Sequence, residues 1–209
     1  MKYLLAFLLT ASVLILFRPQ KESSESKTKV VLSPNSTILA VGDSLTYGYG
    51  IDKPELYSYP AILQKLTGLR VVNAGLSGET SEGGLYRLPG LLKKYKPDLT
   101  ILCYGGNDIL RRASREKLKS NIKKMIDLIN KSGSKVVLIG VPDIGIFGLD
   151  SLELYSDIAK EYNIPAELEI LPKVISESNL KSDYIHPNKE GYRLIAKAVY
   201  RVIKQNFDW

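Results

Sequence analysis

The stretch Thr37-Ile38-Leu39-Ala40-Val41, followed without a break by Gly42-Asp43-Ser44-Leu45, decides the reading of the fold. A short apolar run that stops at a glycine has the pattern of a strand buried on both faces, as parallel sheets require. The pattern returns at residues 69–73, 99–104 and 135–141, with a weaker fifth instance at 166–170. Segments of helical period lie between and after these runs, at 59–66, 81–94, 114–131, 151–162 and 188–204, most of them opening at or near a capping residue. Strands alternating with helices predict βαβ units, hence an α/β protein: a three-layer α/β/α sandwich on a mainly parallel sheet of about five strands. No internal repeat interrupts the order.

The whole chain supports one such unit. Its 209 residues are 44% hydrophobic and 24% charged, with 16 Gly and 10 Pro, an ordinary globular composition with enough apolar mass for a sizeable core. We place the domain at 36–209, behind a polar linker at 21–35 and an N-terminal segment at 1–20. In that segment Lys2 precedes an uncharged, mostly apolar run over 3–17, and Arg18-Pro19 follows. The charged start and apolar length read as a signal peptide or a membrane anchor. As a helix the run would span about 22 Å at 1.5 Å per residue, short of a hydrocarbon core of roughly 30 Å. No clear small-x-small cleavage site precedes Arg18, so cleaved and anchored forms both stay open. Either form predicts an exported domain, periplasmic or extracellular, with membrane association through 3–17 as one outcome.

Composition also removes several classes of chemistry. A single cysteine, Cys103 in an apolar run, permits no intramolecular disulfide and predicts a buried, inert thiol. With one histidine and one cysteine the usual zinc frameworks cannot be built, and no metal is expected. The net charge of +7 owes much to Arg111, Arg112, Arg115, Lys117, Lys119, Lys123 and Lys124. These fall in one amphipathic stretch and are read as a solvated helix face. Nothing resembles a nucleic-acid motif, so no nucleic-acid partner is predicted.

In open α/β sheets ligands bind beyond the carboxyl ends of the strands. Those ends hold Gly42-Asp43-Ser44-Leu45, Asn73 to Thr80, Gly105-Gly106-Asn107-Asp108 and, far downstream, Asp183-Tyr184-Ile185-His186-Pro187. A serine nucleophile needs a base, a carboxylate to orient that base, and donors for the oxyanion that forms. As the only histidine, His186 must serve any imidazole mechanism, and Asp183 lies three residues upstream, within reach of one short loop. Pro187 holds His186 extended, just ahead of the last helix. Ser44 follows a strand and a glycine, which can set its hydroxyl at the sheet edge, while Asp43 is read as bracing that loop. Gly78 can turn a free N–H into the crevice and Asn107 can add a side-chain N–H. With the Ser44 N–H these would form a three-donor oxyanion hole. Each residue has a plainer alternative: Ser44 and His186 as helix caps, Gly78 as a turn residue, Asn107 in an Asx-turn.

These blocks, in this order, resemble those of the SGNH or GDSL hydrolase family. The stretch from Gly78-Glu79-Thr80-Ser81 through Gly84-Leu85-Tyr86-Arg87-Leu88-Pro89 resembles its bacterial arylesterase, acyl-CoA thioesterase and lysophospholipase branch. The resemblance implies a flavodoxin-like sandwich without a cofactor, with Ser44 as nucleophile and Asp183 and His186 completing the catalytic set. It further implies Gly78, not Gly75, and Asn107 as oxyanion donors. The expected substrate is a small-molecule ester or lipid: a lysophospholipid, a short to medium acyl ester, or a thioester. A carbohydrate or peptidoglycan O-deacetylase, and a catalytically silent tethered binding protein, are the rival readings. Ile144, Ile146, Phe147 and Leu149 are candidates for an apolar acyl pocket, or equally for core packing. Oligomeric state is not legible.

Overall fold

The computed structural model describes residues 29–143 and 151–209. At its centre five parallel strands lie in the order β3 (Arg70–Gly75), β2 (Thr37–Gly42), β4 (Leu99–Cys103), β5 (Lys135–Ile139) and β6 (Ala166–Glu167). Every residue of β2 and β4 is buried, which explains their continuous apolar runs: each faces a helical layer on both sides. The register aligns Gly42 with Gly75 on one side and with Cys103 on the other, so three strands end at one level.

Helices cover both faces. α3 (Tyr59–Thr67) packs on α9 (Lys189–Asn206), while α4 (Ser81–Tyr95) packs on α6 (Arg115–Lys131), which in turn meets α7 (Glu153–Tyr162). Side-chain caps open the long ones. Ser114 Oγ accepts from the Lys117 N–H, and Asn188 Oδ1 accepts from the N–H groups of Glu190 and Gly191. The chain leaves β2 toward β3 on one side and returns past it to β4 on the other. The topological switch point therefore lies between the carboxyl ends of β2 and β4, where an open sheet leaves a crevice.

The expected sandwich is thus observed, with local differences. The fifth strand is only Ala166–Glu167, because Glu167 Oε1 accepts from the N–H groups of Glu169 and Ile170 and a helix, α8 (Ile170–Ser176), starts there. The helix expected from Ser151 begins at Glu153, because Ser151 pairs with Pro142 and its hydroxyl donates to Leu168 O. Short helices α1 (Ser44–Tyr47), α2 (Pro54–Tyr57) and α5 (Gly106–Leu110) were not expected. Part of the stretch read as linker also belongs to the folded unit: β1 (Val30–Val31) pairs in parallel with β7 (Phe207–Asp208), and Leu32 is buried.

The basic stretch is a helix face as read, but it is a paired one. Lys117 bridges to Glu82 of α4, while Lys119 and Lys123 bridge to Asp157 and Glu161 of α7. Arg115 pairs with Asp143. Arg111 and Arg112 lie outside α6, and the Arg111 guanidinium donates to Gly78 O instead, at 2.9 Å. Among the described residues no helix is long and apolar enough to cross a membrane; the run at 3–17 lies outside them.

Candidate active site

Gly42 ends β2, and the chain turns at once into α1. Asp43 caps that helix, its Oδ1 accepting from the Leu45 N–H at 3.0 Å, so Ser44 is the first helical residue and not the cap. Ser44 thereby stands at the positive end of a helical turn beside the switch point, with its own N–H unshared among the described residues. From the far end of the chain the loop before α9 brings His186 to it, Nε2 lying 3.1 Å from Ser44 Oγ. On the other side of the ring, Nδ1 is 2.7 Å from Asp183 Oδ2. Asp183 Oδ1 accepts from the backbone N–H groups of Ile185 and His186, at 2.9 and 2.8 Å.

These bonds determine the protonation pattern. Partial burial pushes the Asp183 carboxyl up, but the two N–H groups and the imidazole outweigh it and hold it below its ordinary value. An ionised carboxylate only accepts, so Nδ1 carries a ring proton, and in the neutral imidazole Nε2 presents its lone pair to the Ser44 hydroxyl. The Tyr49 ring leans on the imidazole with centroids 4.5 Å apart, and Tyr192 of α9 donates to Tyr49 O at 2.9 Å, which fixes that wall.

Opposite the imidazole stand Gly78 and Asn107. Gly78 adopts φ +78, a conformation that disfavours any residue with a Cβ, and its N–H has no protein acceptor among the described residues. Asn107, in the first turn of α5, gives one amide hydrogen to Glu79 O at 3.0 Å and lies 3.3 Å from Asp43 Oδ2. Asp43 is itself buried, and this burial, reinforced by Asp108 and opposed by the Leu45 N–H and Asn107, raises its pKa to about 7.

Ser44, Gly78, Asn107 and His186 all line one cavity of about 230 Å³, whose remaining wall is largely apolar: Leu45, Tyr49, Leu110, Val141, Ile175 and Ile185. Asp183 stands behind the histidine, outside that wall. The structure thus brings together every residue singled out from the four blocks. Gly75 stays at the end of β3, where a Cβ would strike the backbone N of Tyr47. The candidates Ile144, Ile146, Phe147 and Leu149 lie outside the described residues. Among the described residues no group of three or more His, Cys, Asp or Glu side chains gathers to hold a metal. Cys103 is buried as expected, and burial pushes its thiol well up.

Sequence reasoning missed Tyr49, and it missed a cluster under the Gly78 loop. Arg87 Nε donates to Glu79 Oε1 at 2.9 Å, Tyr104 OH donates to Glu79 Oε2 at 2.6 Å, and Arg87 Nη2 reaches the Tyr104 oxygen at 3.1 Å. The available signal was Gly83-Gly84 inside a helical segment. Two adjacent poor helix formers there imply that something approaches the backbone closely.

A three-layer sandwich with a serine, an imidazole and a carboxylate linked at its switch point belongs to the hydrolase class that works through an activated hydroxyl. The chain belongs to the GDSL-like lipase/acylhydrolase family, which matches residues 40–194. It is 32% identical over 178 residues to esterase TesA of Pseudomonas aeruginosa, covering 80% of this chain and 88% of that one. It is likewise 32% identical over 171 residues to thioesterase 1/protease 1/lysophospholipase L1 of Escherichia coli K12, covering 77% and 79% of the two. Among solved structures it resembles the psychrotrophic esterase EstA from Pseudoalteromonas sp., inhibited by monoethylphosphonate. There the TM-score is 0.72 at 28% identity, covering 82% of this chain and 98% of the other. The protein is a serine hydrolase acting on ester bonds.

Proposed function

We propose that the protein hydrolyses lysophospholipids and other short to medium acyl esters through an acyl-Ser44 intermediate, and that it accepts thioesters. The observation that carries this reading is the unbroken chain from Ser44 Oγ through His186 to Asp183 on the wall of a largely apolar cavity. The names of the two relatives support the substrate range.

In the proposed cycle Ser44 Oγ attacks the acyl carbon while its proton passes to His186 Nε2. Asp183 holds the ring and stabilises the imidazolium. The carbonyl oxygen becomes an oxyanion, met by the N–H groups of Ser44 and Gly78 and by Asn107. The amide hydrogen that Asn107 holds toward Asp43, on the longer of its two bonds, is the one for which an oxyanion competes. Collapse breaks the ester bond and the leaving oxygen, or sulfur, takes the proton from His186. Water then gives a proton to His186 as it attacks the acyl carbon, and collapse breaks the acyl–Oγ bond, His186 returning the proton to Ser44 Oγ as the acid leaves.

The charged start and the apolar run at 3–17 support export of the domain. The decisive experiment is labelling by a fluorophosphonate probe. Wild type should be labelled and Ser44→Ala should not; labelling that survives the substitution removes Ser44 from the nucleophile role. A panel of p-nitrophenyl esters of rising chain length, beside lysophospholipid and acetylated sugars, tests the substrate. Turnover confined to acetyl groups would overturn the lipid reading.

A further inference from the structure

The two oxyanion donors outside Ser44 come from different strands, Gly78 after β3 and Asn107 after β4, so the chain itself does not set the distance between them. A donor serves an oxyanion only within about 2.7–3.1 Å of it, and a misplacement of about 1 Å can cost roughly a hundredfold in rate. Something must fix that spacing. The Glu79–Arg87–Tyr104 cluster is built where it could do so.

Glu79 is the residue after Gly78, and Tyr104 lies three residues before Asn107. The partly buried bond from Tyr104 OH to Glu79 Oε2 therefore ties one donor loop to the other, and Arg87 on α4 grips both partners at once. Directly beside this tie, Glu79 O receives the Asn107 amide at 3.0 Å. On its other flank Asp108, next to Asn107, accepts from the Ser81 N–H at 2.8 Å and the Ser81 hydroxyl at 2.6 Å, and Asn121 of α6 donates to that hydroxyl. The Glu79–Asn107 bond is thus bracketed by two clasps across the same gap.

Helix α4 is shaped to admit the first clasp. A Cβ on Gly84 would lie 2.3 Å from Cζ of Tyr104, and one on Gly83 would lie 3.1 Å from Cγ of Glu79. Both glycines are weaker helix formers than alanine and leave room for the cluster. A buried ion pair is weak evidence for added stability, because desolvation offsets most of its attraction. Its shape is a better account of why it is here.

We propose that Glu79, Arg87 and Tyr104 form a positioning device that sets the spacing of the Gly78 and Asn107 oxyanion donors, with none of the three touching substrate. This rests on the reading of Ser44 as nucleophile. The mildest probe is Tyr104→Phe, which removes one hydroxyl and keeps the ring against Gly84. It should lower kcat about tenfold with KM changed less than twofold, while Asn107→Ala lowers kcat about a hundredfold. Because Tyr104 acts through the donor pair, Tyr104→Phe should cost clearly less when Asn107 is already alanine than it does in wild type. Glu79→Gln, nearly isosteric, should repeat the pattern and serves if the first variant melts below the assay temperature. Unchanged kcat in both variants, or losses that multiply with Asn107→Ala, would overturn the proposal. Fluorophosphonate labelling on the same preparations separates the two failures. Labelling lost in Ser44→Ala with unaffected Tyr104→Phe turnover sinks the clasp alone; labelling independent of Ser44 sinks the nucleophile reading beneath it.

Discussion

The two sides of the Ser44 crevice are held in opposite ways. On the histidine side the tie is local: Asp183 bonds Ile185, His186 and the imidazole within one exposed loop, and its side chain is 45% exposed. On the donor side the ties run between distant parts of the chain and are wholly or partly buried, with the Glu79 side chain only 7% exposed. In the proposed cycle the base picks up and releases a proton in each half and gains from a solvated neighbour. The donors must stay still while charge develops, which favours a rigid, dry support. Damage to the first side should therefore appear in chemistry alone, and damage to the second in chemistry and stability together.

His186→Ala breaks the first side most severely. We expect kcat to fall by about 10⁴–10⁶-fold, since a triad-like set acts as a unit, with an unchanged thermal melt. Asp183→Asn should lower kcat by up to about 10⁴-fold by disturbing the tautomer, while stability changes by less than about 1 kcal/mol because the carboxylate it replaces is nearly half exposed. A large drop in melting temperature for either variant would show that the loop is not the independent unit its bonding suggests. Arg87→Met sharpens the contrast from the other side. It leaves Glu79 buried without its cation, and stability should fall by on the order of 3 kcal/mol, read by urea unfolding. A loss as small as that of Asp183→Asn would dissolve the distinction.

The same contrast explains what was legible in the sequence. Strands β2, β4 and β5 declare themselves because burial on both faces leaves uninterrupted apolar runs, and the long helices because caps such as Ser114 and Asn188 mark their starts. The histidine side was readable for a related reason: Asp183 and His186 are three residues apart and no second histidine competes. The donor side depends on pairings such as Glu79 with Tyr104 and Ser81 with Asp108, separated by 25 and 27 residues. No local pattern announces contacts of that range. Family resemblance chose Gly78 over Gly75, and the structure adds a reason, since Gly75 is needed where Tyr47 crosses it. The short helices α1 and α5 were missed because one or two turns carry no periodicity to read.

Asp43 lies where the two sides meet, capping the helix of Ser44 with one oxygen and touching Asn107 with the other. Its effect should depend on pH. Burial, with Asp108 adding to it, raises its carboxyl from 3.8 to about 7 against the pull of Leu45 N–H and Asn107. A carboxyl with a higher pKa folded than unfolded binds protons preferentially in the native state. Its contribution to stability is therefore complete below the unfolded value, declines as pH rises, and is gone above about 7. Asp183, shifted the other way, acts only toward the acid side of 3.8 and stays out of that window. Asp43→Asn cannot titrate, so the melting temperature of wild type relative to this variant should decrease steadily between pH 4.5 and 7.5. Parallel melting curves across that range would mean that Asp43 is already ionised in the fold. Asn107 would then face a full negative charge at the one bond that the proposed cycle has it give up to an oxyanion, and the donor side would be less prepared for catalysis than its clasps imply.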